Sequence, residues 1–265
     1  MLPNLNLKDI HEKLLDIAQL FHEICQKNNI PYYMLNGTML GAFRHKGFIP
    51  WDDDMDFGVM EENFPRLIEA LKEGLPPYLK IRDIYNCESI STFAIKIEDE
   101  RYEVVELEKE DIKEKMGLFI DVFPLSRTHP EKGFLSRNWL CEFILRVNWA
   151  RFLNYKSRGI FKNAVSQIIK IVLYPFPREF LPNFVNRFII PHEGACITNY
   201  WGAWINKELV PAETMGTPQL YPFEKESFWG VENVDDYLTH LYGDYMRLPK
   251  ENEIHYHLIG VKRVK

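Results

Sequence analysis

Leu7, Ile10, Leu14, Ile17, Phe21 and Ile24 recur at steps of three and four, which predicts an amphipathic helix over residues 7–25 that stops at Asn28-Asn29. Tyr32-Tyr33-Met34-Leu35 then predicts a short buried strand, closed by Asn36-Gly37. A short helix is expected over Thr38–Phe43. From Met55 to Met60 the pattern changes to alternation, with Asp56 and Gly58 on one face and Met55, Phe57 and Val59 on the other, as in a strand. Phe64–Lys72 reads as a helix, and strands are expected at Leu79–Arg82, Phe93–Ile97, Tyr102–Leu107 and Leu118–Val122. This order predicts an α/β (α+β) fold, a mixed sheet flanked by helices.

The pattern changes again between Phe134 and Phe188, which is rich in Phe, Trp, Ile, Leu, Arg and Lys and has few turn signals before Tyr174-Pro175-Phe176-Pro177. It predicts two or more helices, inserted in or appended to the sheet domain. A loop-rich tail with Pro191, Pro211, Pro218, Pro222 and Pro249 follows. Net charge is −6, but it is unevenly placed. Between Lys132 and Ile190 there are ten Lys/Arg against two Asp/Glu, a balance of +8, so the rest of the chain carries −14. The chain has 265 residues, enough for one large domain or a domain with a sizeable insertion, and its 46% hydrophobic and 26% charged residues are ordinary for a globular protein. Cys25, Cys87, Cys141 and Cys196 are scattered with no CxxC pair, which argues against a zinc site or a disulfide framework and fits a reducing compartment. The first residues carry no secretory pattern, and the longest apolar stretch, Ile168–Pro177, is too short to span a bilayer. A cytoplasmic protein is therefore expected.

Asp52, Asp53, Asp54 and Asp56 place four carboxylates in five positions. They repel one another, and a divalent cation with oxygen ligands removes that cost most simply. In a strand, Asp54 and Asp56 point to one face and share one metal, with Asp52 in phase. An EF-hand loop fits only the first spacings, because Phe57 stands where Gly is required and Asn63 where the bidentate Glu is required. A solvated acidic turn does not fit the flanking Pro50, Trp51, Met55 and Phe57. Gly37-Thr38, opening a helix, offers backbone N–H groups to phosphate, and Asp121 within Phe119-Ile120-Asp121-Val122 offers a third carboxylate from another strand. In this order the parts resemble the nucleotidyltransferase-fold superfamily.

The stretch from Leu35-Asn36-Gly37-Thr38 through Gly41-Ala42-Phe43-Arg44-His45-Lys46-Gly47-Phe48-Ile49-Pro50-Trp51 to Asp52-Asp53-Asp54-Met55-Asp56 is similar to the signature of the LicD family, which includes bacterial phosphocholine transferases and fukutin-related ribitol-phosphate transferases. Ala94–Asp99, Phe119–Leu125 and Tyr242–Met246 with Leu248-Pro249 are similar too, so the resemblance covers about residues 30–125 and 220–260. It implies a single catalytic domain over 1–265: a nucleotidyltransferase-like core at 1–130, a helical insertion at 131–205, and a part at 206–265 that completes the active site. It further implies transfer of phosphocholine, or a related phospho-alcohol, from CDP-choline or another CDP-alcohol to a sugar hydroxyl. The acceptor would be a cell-surface glycan or its lipid-linked precursor, of teichoic acid, lipopolysaccharide or capsule type, and CMP would leave. Asp54, Asp56 and Asp121 would hold Mg2+ or Mn2+ with support from Asp52 or Asp53, and Asp121 would be a ligand or the base. Gly37 and Thr38 would contact donor phosphate.

Arg44, His45, Trp51, Lys96 and Asp244 are further candidates for substrate binding, against the plain alternatives of charge balance, core packing and turn geometry. His255 and His257 stand at i and i+2, and a strand would aim both at one site. A choline head group would call for an aromatic cage, with Trp51, Tyr102, Tyr200, Trp201 and Trp204 as candidate members. The basic, aromatic insertion is either packed helices with a solvated face or a surface for peripheral contact with an anionic membrane. No nucleic-acid-binding motif is present. Two other readings remain open at this point: a nucleotidyltransferase that uses an NTP and releases pyrophosphate, and a non-enzymatic metal-binding or interaction protein.

Overall fold

The computed structural model describes residues 5–106, 115–130, 136–151, 160–250 and 258–264. Its architecture is a mixed sheet flanked by helices, as the alternation of periods predicts. Helix α1 (Leu7–Lys27) starts where the Asn6 side chain accepts the Asp9 N–H and ends at Asn28, with Asn29 in the left-handed region. Its Leu14, Ile17, Ala18, Phe21 and Ile24 are buried against the sheet. Strand β1 (Tyr33–Met34), helix α2 (Asn36–Arg44) and strand β2 (Asp56–Met60) follow, then a 3-10 turn at Glu61–Asn63 and helix α3 (Phe64–Gly74) with Pro65 in its first turn.

Strand β3 (Leu79–Arg82) lies where the sequence places it. The strands expected at Phe93–Ile97 and Tyr102–Leu107 form one strand, β4 (Ile95–Glu106), and β5 runs from Met116 to Thr128. β4 is continuous through the polar stretch Glu98–Arg101 because that stretch finds partners. Arg82 on β3 pairs with Glu98 at 2.8 Å, and Arg101 forks onto Asp99 at 2.7 Å. Irregularity is confined to the β4–β5 register between Asp99 and Val104.

The main sheet runs β1-β2-β5-β4-β10, with β10 (Leu258–Arg263) along the outer edge of β4 beside β3. β2 and β5 are parallel, and the other pairs on this path are antiparallel. The far end of β5 pairs with β6 (Cys196–Thr198), which pairs with β7 (Val210–Pro211). The tail after that is more regular than its prolines suggest: helix α7 (Ala212–Met215), a hairpin of β8 (Gln219–Phe223) and β9 (Glu226–Gly230), and helix α8 (Val234–Tyr242), capped by Gly243 at φ 66°. Pro211 and Pro222 sit in short outlying strands, where a missing N–H is tolerated.

Among the described residues the basic segment forms three helices, α4 (Arg137–Ala150), α5 (Ile160–Leu173) and α6 (Phe180–Phe188). They have an apolar cluster of their own, in which Cys141, Leu145, Val185 and Ile189 meet Tyr200 and Trp201. Polar ties join them to the sheet domain. Asn148 donates to the Ser91 carbonyl at 2.9 Å, Arg178 to the Cys87 carbonyl at 2.7 Å, and His192 meets Glu61 at 2.9 Å. Among the described residues no helix is long and apolar enough to cross a membrane.

Candidate active site

The acidic cluster sits where β2 and β5 meet the start of α2. Asp56 and Asp121 are register partners on parallel strands, so their side chains share one face. Lys96 is the register partner of Asp121 on the antiparallel side, which extends the row across three strands. Its amine lies 2.8 and 3.0 Å from the two Asp121 carboxylate oxygens and 3.4 Å from the centre of the Phe119 ring. Strand register alone therefore brings together two of the three predicted carboxylates, Asp56 and Asp121, with the substrate-binding candidate Lys96.

Asp54 arrives differently from expectation. β2 begins at Asp56, so Asp54 belongs to the approach to the strand, and no strand alternation aligns the two. The two still interact, because Asp54 is the charge that acts most strongly on both Asp52 and Asp56. The turn is fixed from outside: His11 on α1 stacks on Phe48 at 4.0 Å, and its Nε2 lies 2.7 Å from the Asp52 carbonyl oxygen. Asp53 is buried.

Helix α2 is fastened to this strand at its first turn. The Asp56 N–H donates to the Thr38 hydroxyl oxygen at 2.8 Å, and the Leu35 N–H donates to the Asp56 carbonyl at 3.0 Å. A β-carbon on Gly37 would stand 2.7 Å from an Asp52 carboxylate oxygen, so this acid rests directly on the Gly37 backbone. Gly37 is thus a close-approach glycine, and Thr38 couples the helix to the strand.

The electrostatics show how crowded the charges are. Burial, then Asp54 and Asp53, push the Asp52 carboxyl up to about 8. Burial, then Asp54, Asp121, Glu208 and Asp52, hold Asp56 well above the usual carboxylate range. Burial pushes Glu208 up to about 7, and the neighbouring Asn199 and Asn36 amides oppose the rise. Burial and then Asp56, Asp52, Glu208 and Asp54 raise the Tyr242 hydroxyl. Hard oxygen donors under mutual repulsion are the donor set that a divalent cation takes. Among the described residues, however, no three His, Cys, Asp or Glu side chains are already closed round one ion position. The site offers adjacent donors of the right chemistry rather than a preassembled cage.

Arg44 and His45 end α2. Arg44 donates to His45 Nε2 at 2.9 Å and to the Tyr245 carbonyl at 2.6 Å, which ties the signature to the turn after α8. Burial, then the Arg44 charge, lowers His45, so the imidazole is neutral at pH 7. Trp51 is half-buried, edge-on to His45 at 6.5 Å. In the turn after α8, Tyr242 is the residue that couples to the cluster, while Asp244 is exposed and uses its carbonyl to accept the Arg247 N–H.

The other aromatic candidates are dispersed. Tyr200 is buried, with its hydroxyl bonded to Thr128 and Asn138; Trp201 packs on Phe93 at 4.7 Å; Trp204 is exposed. Tyr102 belongs to a separate cavity of about 550 Å³ between α1 and the β3–β4 pair, which contains none of the cluster's carboxylates. His255 and His257 lie outside the described residues. Sequence reasoning missed Glu208 and Tyr237. Both stand in the part after the insertion, and neither carries a local motif.

Residues 29–142 match the family described as LicD/FKTN/FKRP, nucleotidyltransferase domain. This span contains the whole row from Gly37 to Asp121. The match to this family thus covers the acidic cluster and Lys96. It is also 26% identical over 259 residues, 94% of both chains, to the lipopolysaccharide cholinephosphotransferase LicD of Haemophilus influenzae. Shorter stretches are similar to uncharacterized proteins of Rickettsia prowazekii, 46% identical over 65 residues covering 23% of this chain and 24% of that protein, and Rickettsia typhi, 44% over 68 residues covering 23% and 22%. The LicD-family match stops at residue 142, so Glu208, Tyr237 and Tyr242 reach the site from beyond it.

Proposed function

We propose that this chain is a transferase that moves phosphocholine, or a related phospho-alcohol, from a CDP-linked donor to a sugar hydroxyl of a lipopolysaccharide-type glycan. The acceptor oxygen forms a bond to the phosphorus that carries the alcohol, the bond from that phosphorus to CMP breaks, and the acceptor proton passes to a carboxylate. The observation that carries this reading is the row Asp56–Asp121–Lys96 set against the first turn of α2, within the span that matches the LicD family. Similarity to a cholinephosphotransferase along 94% of both chains supports it.

In this reading Asp54 and Asp56, with Asp52 beside them, hold Mg2+ or Mn2+, which would neutralise the donor diphosphate and the departing CMP. Asp121 is either a further ligand or the base, and Lys96 holds it in place until substrate arrives. Gly37 and Thr38 face the donor phosphates, and Arg44 braces the end of α2. Incubation with Mg2+, CDP-choline and candidate glycans tests the reaction. CMP release that depends on acceptor supports it. Pyrophosphate from an NTP favours a nucleotidyltransferase instead, and retention of cellular function by Asp54→Ala and Asp56→Ala favours a non-enzymatic role.

A second part of the reading concerns where the acceptor is met. α5 exposes Ile168 (60%) and Ile171 (74%), and α6 exposes Phe188 (67%), within the segment whose charge balance is +8. Apolar side chains among Lys and Arg suit the anionic cytoplasmic face of a membrane bearing a lipid-linked acceptor. Co-sedimentation with anionic liposomes that weakens at high salt is expected; no binding at low salt overturns it.

A further inference from the structure

The turn of the β8–β9 hairpin consists of two residues, Glu224 and Lys225, between the paired Phe223 and Glu226. Glu224 stands there at φ 53°, a left-handed conformation that has a cost for a residue with a β-carbon and that such turns commonly give to glycine. A glutamate at that position implies a task for its side chain. Its carboxylate accepts the Phe48 N–H at 3.1 Å, and its own N–H donates to the Lys46 carbonyl at 2.7 Å. Lys46 is also left-handed, at φ 59°, where the chain reverses after α2.

The carboxylate reaches the loop because residue 47 is glycine. A β-carbon on Gly47 would stand 2.6 Å from the Glu224 carboxyl carbon, and the atoms nearest to it all belong to Glu224. Gly47 is not left-handed, so it is Glu224 that excludes a side chain there. On the other side, a β-carbon on Gly41 of α2 would stand 2.5 Å from the Gly47 carbonyl oxygen. The loop backbone is thus pressed between α2 and the hairpin turn. Phe48, next in the chain, is buried between His11, stacked on it at 4.0 Å, and Phe223 at 4.9 Å. One turn further on, the Asp52 N–H donates to the Ile49 carbonyl at 2.9 Å, so the placing of Phe48 passes directly into the acidic turn.

We propose that Glu224 is a positioning residue whose carboxylate grips the loop at Gly47-Phe48 and so holds Asp52 and Asp54 where they take a divalent cation. The cation rests on the function proposed above; the grip does not. Glu224 comes from beyond residue 142, where the family match ends. Its required property is an accepting oxygen at the reach of a glutamate. Glutamine keeps that oxygen and loses the charge. Glycine removes the side chain but suits the left-handed turn, so a looser loop in E224G does not come from a spoiled hairpin.

The test uses the full chain and two readouts: hydrogen exchange of the segment 46–55, and calorimetric titration with Mn2+ alone. For E224G we expect exchange in that segment to rise about tenfold, with α3 unchanged, and Mn2+ to bind about tenfold more weakly. E224Q, which removes the same charge, should stay within about threefold of the wild type in both. Gly47→Ala should loosen the segment in the wild-type background and add less than about threefold in E224G, where the space for its β-carbon is open. If E224G does not fold, Glu224→Asp, one methylene shorter than the reach to Phe48, takes its place. Wild-type exchange and affinity in E224G overturn the proposal, and so does E224Q behaving like E224G. Full additivity of Gly47→Ala with E224G overturns the grip, and altered exchange with unaltered Mn2+ affinity overturns the positioning role. If the wild-type chain binds no Mn2+, the proposed metal site and the positioning role fail together, and the exchange measurements still decide whether the grip exists.

Discussion

Removing the charge of Asp52 should stabilise the metal-free protein. The carboxyl lies on Gly37 with Asp53 and Asp54 beside it, and burial followed by those neighbours moves it from 3.8 to about 8. Between those values the unfolded chain has lost a proton that the folded chain keeps. Stability therefore falls as pH rises through this window, by at most about 1.4 kcal/mol per pH unit. At pH 7 the ceiling is about 4 kcal/mol; sharing of the proton with Asp54 and partial contact with solvent reduce it to about 1–2 kcal/mol. Asp52→Asn should then raise the melting temperature in EDTA at pH 7–8 by about 2–8 °C, with little difference near pH 4. Mg2+ should narrow the gap, because a bound cation offsets the same repulsion in the wild type. Thermal unfolding across pH 4–9, with and without Mg2+, measures all of this. An Asp52→Asn protein that melts at or below the wild type at pH 8 in EDTA refutes the reasoning.

Three further outcomes are expected. Asp54→Ala and Asp56→Ala should each lower CMP release by about a thousandfold while leaving the circular dichroism spectrum unchanged, which steady-state kinetics with purified variants checks. Lys96→Met leaves Asp121, whose side chain is 15% exposed, without its cation at 2.8 Å. It should cost about 1–3 kcal/mol in urea unfolding and slow turnover, since a partly buried carboxylate is left uncompensated. Gly37→Ala drives a β-carbon to 2.7 Å from the Asp52 oxygen, so that carboxylate must rotate away. Activity should fall more than tenfold with little loss of melting temperature, because alanine's helix propensity offsets the displacement by about 1 kcal/mol.

Much of the fold was legible because it is local. The period of α1, the compact strand β3 and the helix after Asn63 follow from side-chain patterning and cap residues, and the structure agrees within a few residues. Errors arose where long-range pairing overrode local polarity. Glu98 to Arg101 reads as a break between two strands, but Arg82 and the flanking strands carry β4 straight through it. The proline-marked tail reads as loops, yet it supplies a hairpin and α8. The site divides in the same way. Asp56 and Asp121 are legible as carboxylates on neighbouring strands, whereas the pairing of Lys96 with Asp121 depends on strand register and Asp54 stands just outside β2. Glu208, Tyr237 and Tyr242 have no spacing that links them to Asp56, and only tertiary packing brings them there. The aromatic residues Tyr200 and Trp201 went to the interior for an equally nonlocal reason, since they form the core that joins the helical segment to the sheet.

The central claim is that the row of Asp56, Asp121 and Lys96 serves transfer of a phospho-alcohol from a CDP-linked donor. Its most direct test is the nucleotide product formed by the wild-type chain with CDP-choline, Mg2+ and a lipopolysaccharide-type acceptor, read beside an Asp56→Ala control. The account predicts CMP in equal amount to phosphocholine attached to the acceptor, and neither product in the control. Pyrophosphate from an NTP, or CMP formed at the same rate by the control, would contradict it.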